Sequence, residues 1–401
     1  MLPISPHLPA IVKTIQSSPV TLLEATPGSG KTTLVPLELL KTYAGKILVL
    51  EPRRLATKMA AERVAGLLGE KIGQTVGYLY RFERQVTDQT RLIFLTEGTF
   101  LRYLQGNPTL DGVDVVVIDE FHERHLATDL AWGLFQKLSA KWARVPRLLI
   151  MSATLDETSL RELYPKLEKM VITAPIHPLV IHYPPKDGEW AKRPLERKVL
   201  WGIQEAWNYP GDVLVFLPGL GEIRRIEETL KKRLKEDEAL VLTLHGQESS
   251  NEYLIMKPQP QRKIILASNV AESSLTIPGV GVVVDAGLQR EAIYDRWSGI
   301  AELVTGPCSK ASAIQRAGRA ARTGPGVALR LYEESDLQTR APFTTPEILK
   351  TDLSSVILDL ALWKLKAEDF PWPTRPGDAP LASARKLLDN LGALRGDALT
   401  P

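Results

Sequence analysis

The chain has 401 residues, enough for two or three domains that each bury a core, and its 44% hydrophobic and 24% charged content is that of an ordinary globular protein. A net charge of +3 is too small to argue for a nucleic-acid partner by itself and allows at most a local basic track. The single cysteine, Cys308, excludes a disulfide framework and a cysteine-rich zinc site and points to a reducing, cytoplasmic setting; no apolar run approaches the roughly 20 residues that span a bilayer, and the N-terminus lacks a signal-peptide pattern.

The first informative element is the apolar, β-rich run Val20–Leu23, which leads through Ala25-Thr26-Pro27-Gly28-Ser29-Gly30-Lys31-Thr32 and Thr33 into a helical start at Leu34-Val35-Pro36-Leu37. Strand, glycine-rich turn, Lys-Thr and helix make a phosphate-binding loop. Gly28 and Gly30 let the backbone curl until several N–H groups point at one anion, and the helix N-terminus adds its positive dipole end. Thr26, Gly28, Ser29, Gly30, Lys31, Thr32 and Thr33 are therefore expected around a nucleoside triphosphate. Lys31 would reach the β- and γ-phosphates, and the Thr32 hydroxyl would bind Mg²⁺. Ala25 stands where the common pattern has Gly.

Continuous apolar runs at Ile47–Leu50, Leu92–Leu95, Val113–Ile118 and Leu148–Met151 predict parallel strands covered on both faces. The third ends in Asp119-Glu120-Phe121-His122, and carboxylates at such a strand end lie in the ligand crevice. Asp119 is expected to hold the Mg²⁺ through water, and Glu120, beside the same ion, to orient and deprotonate the attacking water. The fourth run enters Ser152-Ala153-Thr154, whose hydroxyls can bond to the Asp119–His122 turn and sense its state.

Ala174–Pro194, with five prolines, marks the entry to a second domain, with a linker near Pro184-Pro185. A second set of runs follows at Val213–Leu217, Leu240–Leu244, Ile264–Ala267 and Val280–Val284. Glu222–Glu238 reads as a charged helix with Ile223, Ile226, Leu230 and Leu234 at helical spacing and a solvated Lys-Lys-Arg face. Gln289–Asp295 and Ile300–Thr305 flank Arg296-Trp297-Ser298-Gly299, the pattern of a β-hairpin.

In Gln315-Arg316-Ala317-Gly318-Arg319-Ala320-Ala321-Arg322, Arg319 and Arg322 would share a helix face with Gln315 one turn earlier. That set suits a γ-phosphate and its attacking water; a surface basic helix, or one that only binds nucleic-acid phosphates, fits the same residues. Beyond Arg340, Pro346–Lys366 reads as one long helix, Pro371-Trp372-Pro373 as a breaker, and Leu381–Leu391 as another helix. The ending at Leu399-Thr400-Pro401, just after a glycine-rich turn, reads as a fragment of a longer protein.

Together these motifs resemble the DEAH-box RNA helicases of the second helicase superfamily over nearly the whole chain. The resemblance also rests on Glu51-Pro52-Arg53-Arg54, Arg81-Phe82-Glu83, Leu95-Thr96-Glu97-Gly98-Thr99, Phe216-Leu217-Pro218-Gly219 and Ala267-Ser268-Asn269-Val270-Ala271-Glu272-Ser273-Ser274-Leu275-Thr276. Phe121 in place of the usual Ala, with Glu123-Arg124 following, resembles the bacterial HrpB-type branch. The implied fold is α/β: two tandem RecA-like parallel-sheet domains, residues 1–174 and 175–340, with ATP at their interface. A hairpin at about 289–305 belongs to the second, the helicase C-terminal domain. Residues 341–401 would begin a winged-helix-like domain that stops before its wing.

The resemblance adds His122 to Lys31, Asp119, Glu120, Gln315, Arg319 and Arg322 as catalytic residues. It puts Arg63 and Met256 on either side of the nucleobase, with Thr276 also at the nucleotide. Arg53, Arg54, Thr96, Arg102, Gly219, Asn269 and Ser273 would face RNA. Arg53 and Arg54 make sense as phosphate contacts, which hold a strand without reading sequence. Four positions depart from the family: Ala321 for Gly, Met256 for a stacking aromatic, Pro278 for an acidic residue near the ribose, and Ser273 for Thr. The weaker base stack implies that other NTPs are accepted beside ATP. The implied activity is RNA-stimulated NTP hydrolysis with Mg²⁺, coupled to 3′-to-5′ translocation on single-stranded RNA, or on a duplex with an overhang, and to duplex or RNP remodelling. The partners implied are RNA and an activator protein of unknown identity, with no membrane, for a monomer. A DNA-directed helicase or translocase and a non-enzymatic RNA clamp remain alternatives at this level.

Overall fold

The computed structural model describes residues 2–400 apart from 154–159, 162–163, 165–166, 174–176, 186–187, 236, 246–250, 273–276 and 296–299. It divides into two compact units. The first comprises Met1–Ala174, Ile293–Glu302 and Thr345–Pro401, and the second Pro175–Ala292 and Leu303–Thr344.

The first unit is built on eight strands: β1 (Val20–Ala25), β2 (Lys46–Glu51), β3 (Val76–Tyr80), β4 (Glu83–Gln85), β5 (Leu92–Thr96), β6 (Val113–Ile118), β7 (Arg147–Ser152) and β8 (Glu168–Ile172). Their order is β4-β3-β5-β2-β6-β7-β1-β8, and all pairs but β3–β4 are parallel. Accompanying them are α1 (Leu8–Ser17), α2 (Lys31–Thr42), α3 (Arg54–Leu68), α4 (Glu97–Gly106) and α5 (Leu126–Ser139). The period of two along each strand sorts its apolar residues to two cores. Ile47, Val49, Val115 and Val117 pack with Ile11, Val35, Leu39 and Val64 on one face; Leu48, Leu50, Val116 and Ile118 pack with Phe100, Leu104, Leu130 and Trp132 on the other. The runs are uninterrupted because both faces are covered.

The second unit carries β9 (Leu179–His182), β10 (Asp212–Phe216), β11 (Ala239–Leu244), β12 (Arg262–Ala267), β13 (Val280–Asp285) and β16 (Gly326–Arg330) in the order β11-β12-β10-β13-β16-β9, all parallel. Between β13 and β16, β14 (Leu288–Asp295) and β15 (Ile300–Pro307) pair as a separate two-stranded ladder; the turn read from Arg296 to Gly299 lies outside the described residues. Helices α6 (Leu195–Ala206), α7 (Leu220–Arg233), α8 (Glu252–Met256), α9 (Lys310–Gly318) and α10 (Glu334–Thr339) complete it. The charged helix ends earlier than its apolar spacing predicts. Leu234 leaves α7 in an extended conformation and still packs on the core, while Lys231, Lys232 and Arg233 are solvated as expected.

The C-terminal stretch differs most from expectation. Instead of one helix over Pro346–Lys366, a 3₁₀ turn (Glu347–Leu349) is followed by α11 (Ser354–Leu362). Asp352 Oδ1 accepts the Ser354 N–H at 2.9 Å, a local side-chain bond that restarts the chain as a new helix. α12 runs Asp378–Asn390, with Pro380 in its first turn, where a missing N–H costs nothing. After it, β17 (Leu394–Arg395) and β18 (Ala398–Leu399) pair as a small antiparallel hairpin around Gly396, at φ +64°, where the sequence reading had no wing strands. Ile348, Val356, Leu360, Phe370, Trp372, Leu381 and Leu388 join the core that holds Leu130 and Trp132. Phe370 lies so near Gly133 that a Cβ there would be 2.1 Å from the ring. Among the described residues, no helix is long and apolar enough to cross a membrane.

Candidate nucleotide-binding site

β1 ends at Ala25 and α2 begins at Lys31, so the intervening turn must reverse in five residues. It does so through Gly28 (φ +80°) and Gly30 (φ +97°), both left-handed; a Cβ on Gly30 would also sit 2.8 Å from Leu2 Cδ1. Ala25 has no such conformation, so its methyl is carried without strain. Ile4 donates its N–H to the Ser29 carbonyl at 3.1 Å, and Thr33 Oγ1 donates to the Gly30 carbonyl at 3.3 Å, which fixes the loop from outside. Thr26 and Ser29 are joined by a backbone bond of 3.2 Å.

Lys31 and Thr32 meet the end of β6. Thr32 Oγ1 donates to Asp119 Oδ2 at 2.5 Å, and buried Lys31 Nζ lies 3.4 Å from Glu120 Oε1. Asp119 Oδ1 accepts the Glu120 N–H at 2.8 Å. Glu120 itself is left-handed (φ 50°, ψ 37°), an uncommon state for a residue with a side chain and one that collects at functional sites. The conformation turns its carboxylate toward His122 Nδ1, 3.5 Å away. His122 Nδ1 is also 3.4 Å from Ser152 Oγ and 3.5 Å from the Ala153 N–H, so the end of β7 touches this turn; Thr154 is outside the described residues. Burial raises the Asp119 carboxyl to about 6, helped by neighbouring Glu120 and opposed by Lys31 and Thr32. A hydroxyl and a carboxylate converging in this way offer two hard oxygen donors, which suits an ion that keeps water and phosphate as its other ligands. Among the described residues, no cluster of three or more His, Cys, Asp or Glu side chains could hold a metal alone.

Sequence reading gave Glu51 no role. It ends β2, is fully buried, and neither carboxylate oxygen has a hydrogen-bond partner among the described residues. Burial first, then the charges of Asp119 and Glu120, hold its carboxyl well above the ordinary 4.5. A raised carboxyl gives stability that is full below the unfolded value and lost as pH rises toward the folded one. Glu51→Gln should therefore stabilise the chain above neutrality, by about 1–3 kcal/mol. The gain should shrink to nothing as pH falls below 4.5. Thermal melts in EDTA at both ends of that range check it; an equal or lower Tm above neutrality would refute it.

Four of the residues expected to face RNA lie in the first unit. Arg53 precedes α3, exposed Arg54 opens it, half-buried Thr96 ends β5 with its hydroxyl 2.8 Å from that of Thr99, and Arg102 is exposed on α4. Arg63, expected at the base, is exposed on α3. The turn after Glu120 binds in three directions. Glu123 Oε2 is 2.9 Å from Arg53 Nη2. Arg124, left-handed at φ 51°, places its guanidinium 3.1–3.2 Å from both oxygens of buried Asp129 and 2.9 Å from Thr374 Oγ1. The Arg124 carbonyl accepts the Glu347 N–H at 3.0 Å, and the Glu347 carboxylate accepts the Leu126 N–H at 2.7 Å. The C-terminal stretch is thereby tied to the segment that follows the two carboxylates.

In the second unit α9 stops at Gly318, which corrects the single helix face expected for Arg319 and Arg322. Arg319 caps the helix, the backbone bonds from Arg319, Ala320 and Ala321 close i→i+3 turns tighter than α-helix, and Arg322 follows in a bend beyond them. Arg316, unassigned from sequence, anchors this segment: buried, it pairs with Glu272 (2.9 Å) and Asp285 (3.1 Å) and donates to the Leu288 carbonyl. Arg319 Nε donates to the Glu272 carbonyl at 3.0 Å, and Gln315 is half-buried on α9. Asn269 is exposed in a 3₁₀ turn after β12, and Gly219 caps α7, where a Cβ would press on Arg290 at 2.8 Å. Met256 ends α8; Ser273 and Thr276 lie outside the described residues.

The family model for the DEAD/DEAH box helicase matches residues 7–163, and that for the helicase conserved C-terminal domain matches 198–324. The chain belongs to the DEAD/DEAH box helicases. In an alignment of 406 positions that covers all of this chain, it is 39% identical to the ATP-dependent RNA helicase HrpB of Escherichia coli strain K12, covering 50% of that protein. It is 34% identical to the probable ATP-dependent RNA helicase DHX34 of Homo sapiens, covering all of this chain and 36% of that protein. The crystal structure of Escherichia coli DEAH/RHA helicase HrpB superposes with a TM-score of 0.92 at 38% identity, over 100% of this chain and 52% of that one. This helicase chain thus spans about half the length, or less, of these relatives. The two sheets, parallel but for β3–β4, are the RecA-like pair that the resemblance implies.

Proposed function

We propose that the chain is an RNA-stimulated, Mg²⁺-dependent NTP hydrolase of the DEAH-box helicase kind, acting on ATP and accepting other NTPs. The observation that carries this reading is the convergence of Lys31 with Glu120 at 3.4 Å and of Thr32 with Asp119 at 2.5 Å. The backbone N–H groups of the Gly28–Lys31 loop and the start of α2 would hold the phosphates, with Lys31 turning from Glu120 to the terminal pair. Thr32 and Asp119 would hold the Mg²⁺, which screens the phosphate charge. Freed of Lys31, Glu120 would take a proton from the attacking water, and His122 would keep its carboxylate aimed. Gln315, Arg319 and Arg322 would serve the γ-phosphate from the second unit. Arg53, Arg54, Thr96, Arg102, Gly219, Asn269 and Ser273 would hold the RNA backbone, so that loss of the γ-phosphate shifts the strand, 3′ to 5′, and parts duplexes or RNPs.

Steady-state hydrolysis with matched RNA and DNA single strands tests it, followed by strand displacement from a duplex with a 3′ overhang. Stimulation by RNA well above that by DNA is expected. Stronger stimulation by DNA would transfer the reading to a DNA translocase, and no turnover at all would leave only a binding clamp.

A further inference from the structure

Arg53 stands at the head of a line of alternating charges outside the nucleotide site. Its Nη2 is 2.9 Å from Glu123 Oε2. The same Oε2 lies 3.3 Å from His125 Nε2, and His125 Nδ1 lies 3.5 Å from Glu97 Oε2. Glu97 is fixed from behind by the Thr128 hydroxyl, which donates to its other oxygen. The groups come from four places: the corner before α3, the turn before α5, His125 itself capping α5, and the first residue of α4. The side chains of Glu97 and Glu123 are only 7% and 11% exposed, so neither carboxylate is the freely solvated kind whose pairing counts for little.

We propose that Glu123 holds Arg53 in competition with RNA phosphate, and that the His125 cation sets how readily Arg53 is handed over. This rests on the reading of Arg53 as an RNA contact. With His125 charged, Glu123 keeps a cationic partner when Arg53 turns to a phosphate. With His125 neutral, the same turn takes more of the compensating charge from a nearly buried carboxylate, so Arg53 is held more tightly. Glu123 and His125 are positioning residues acting through Arg53, and their removal should have opposite effects, which general loss of structure would not produce.

The two carboxylates facing His125 raise it from 6.5 to about 9 against burial and the charge of Arg53; Asp129, on the same helix, is engaged by Arg124. The cation is therefore present through neutral pH and lost as pH passes about 9. The test is fluorescence anisotropy with an unstructured uridylate oligonucleotide on the full chain without nucleotide. Glu123→Gln should tighten binding about fivefold and His125→Gln should weaken it about fivefold. The unmodified chain should lose affinity as pH passes about 9, a step His125→Gln should lack. Equal-direction effects, or an unmodified chain with no such step, overturn the proposal whatever the variants' stability. An unmodified chain that binds no RNA at neutral pH overturns the RNA reading and this inference together, whereas normal RNA binding that neither substitution alters overturns this inference alone.

Discussion

Glu120→Gln is expected to cut kcat for NTP hydrolysis by about 10²–10⁴-fold while nucleotide affinity holds or tightens. The substituted amide keeps the size of the carboxylate and the left-handed backbone at this position, so the turn that follows has no reason to move. What it loses is the ability to accept a proton, and with it the charge that holds Lys31 Nζ at 3.4 Å. Before nucleotide arrives, Lys31 must leave that partner; an amide makes the departure easier, so binding should not suffer. The negative charge crowded at the end of β6 also falls, which relieves the repulsion that adds to burial in pushing Asp119 up to about 6. Single-turnover hydrolysis beside equilibrium binding of a fluorescent nucleotide separates the two effects. Hydrolysis at the parental rate would remove Glu120 from the role of base, and lost binding with normal kcat would make it a structural partner of Lys31 instead.

The parts of this site that local sequence specifies are those a reader finds in the sequence. A left-handed requirement at two positions leaves glycine as the ready choice, so Gly28 and Gly30 are visible, and a strand buried on both faces writes itself as an unbroken apolar run, as in Val113–Ile118. Edge strands leave a weaker mark: β9 lies in a proline-rich stretch with most of its side chains exposed, and no periodicity announces it. Helix ends are also decided by partners that sequence does not display. α9 stops at Gly318 where Arg316 is drawn to Glu272 and Asp285, residues 44 and 31 positions away. Glu51 belongs to a motif plainly readable as a strand end, yet whether an acid at such an end meets water or two further carboxylates depends on β6 lying beside β2. The Arg53–Glu123 pair spans 70 positions, and His125 reads locally as nothing more than a polar residue before a helix.

Arg319→Ala is expected to slow hydrolysis by roughly 10³–10⁵-fold, with a much smaller loss of nucleotide affinity. The proposed role is to neutralise charge that appears on the phosphoryl oxygens only as the bond to the leaving group breaks, so its removal should raise the barrier more than it weakens the ground state. The position also has a structural duty: the side chain is 4% exposed and Nε holds the Glu272 carbonyl at 3.0 Å, beside the Arg316 pair. Truncation therefore risks loosening the segment, and a fall in kcat alone would not separate the roles. Arg319→Lys does, because lysine retains a cation and most of the buried stem but not the planar fork that meets two oxygens at once. If the fork acts on the phosphoryl group, both variants should be slow while the lysine variant melts near the parental Tm. If Arg319 only braces Glu272, turnover should follow Tm in both, and a lysine variant that is stable and fully active would leave the γ-phosphate to Arg322 and Gln315.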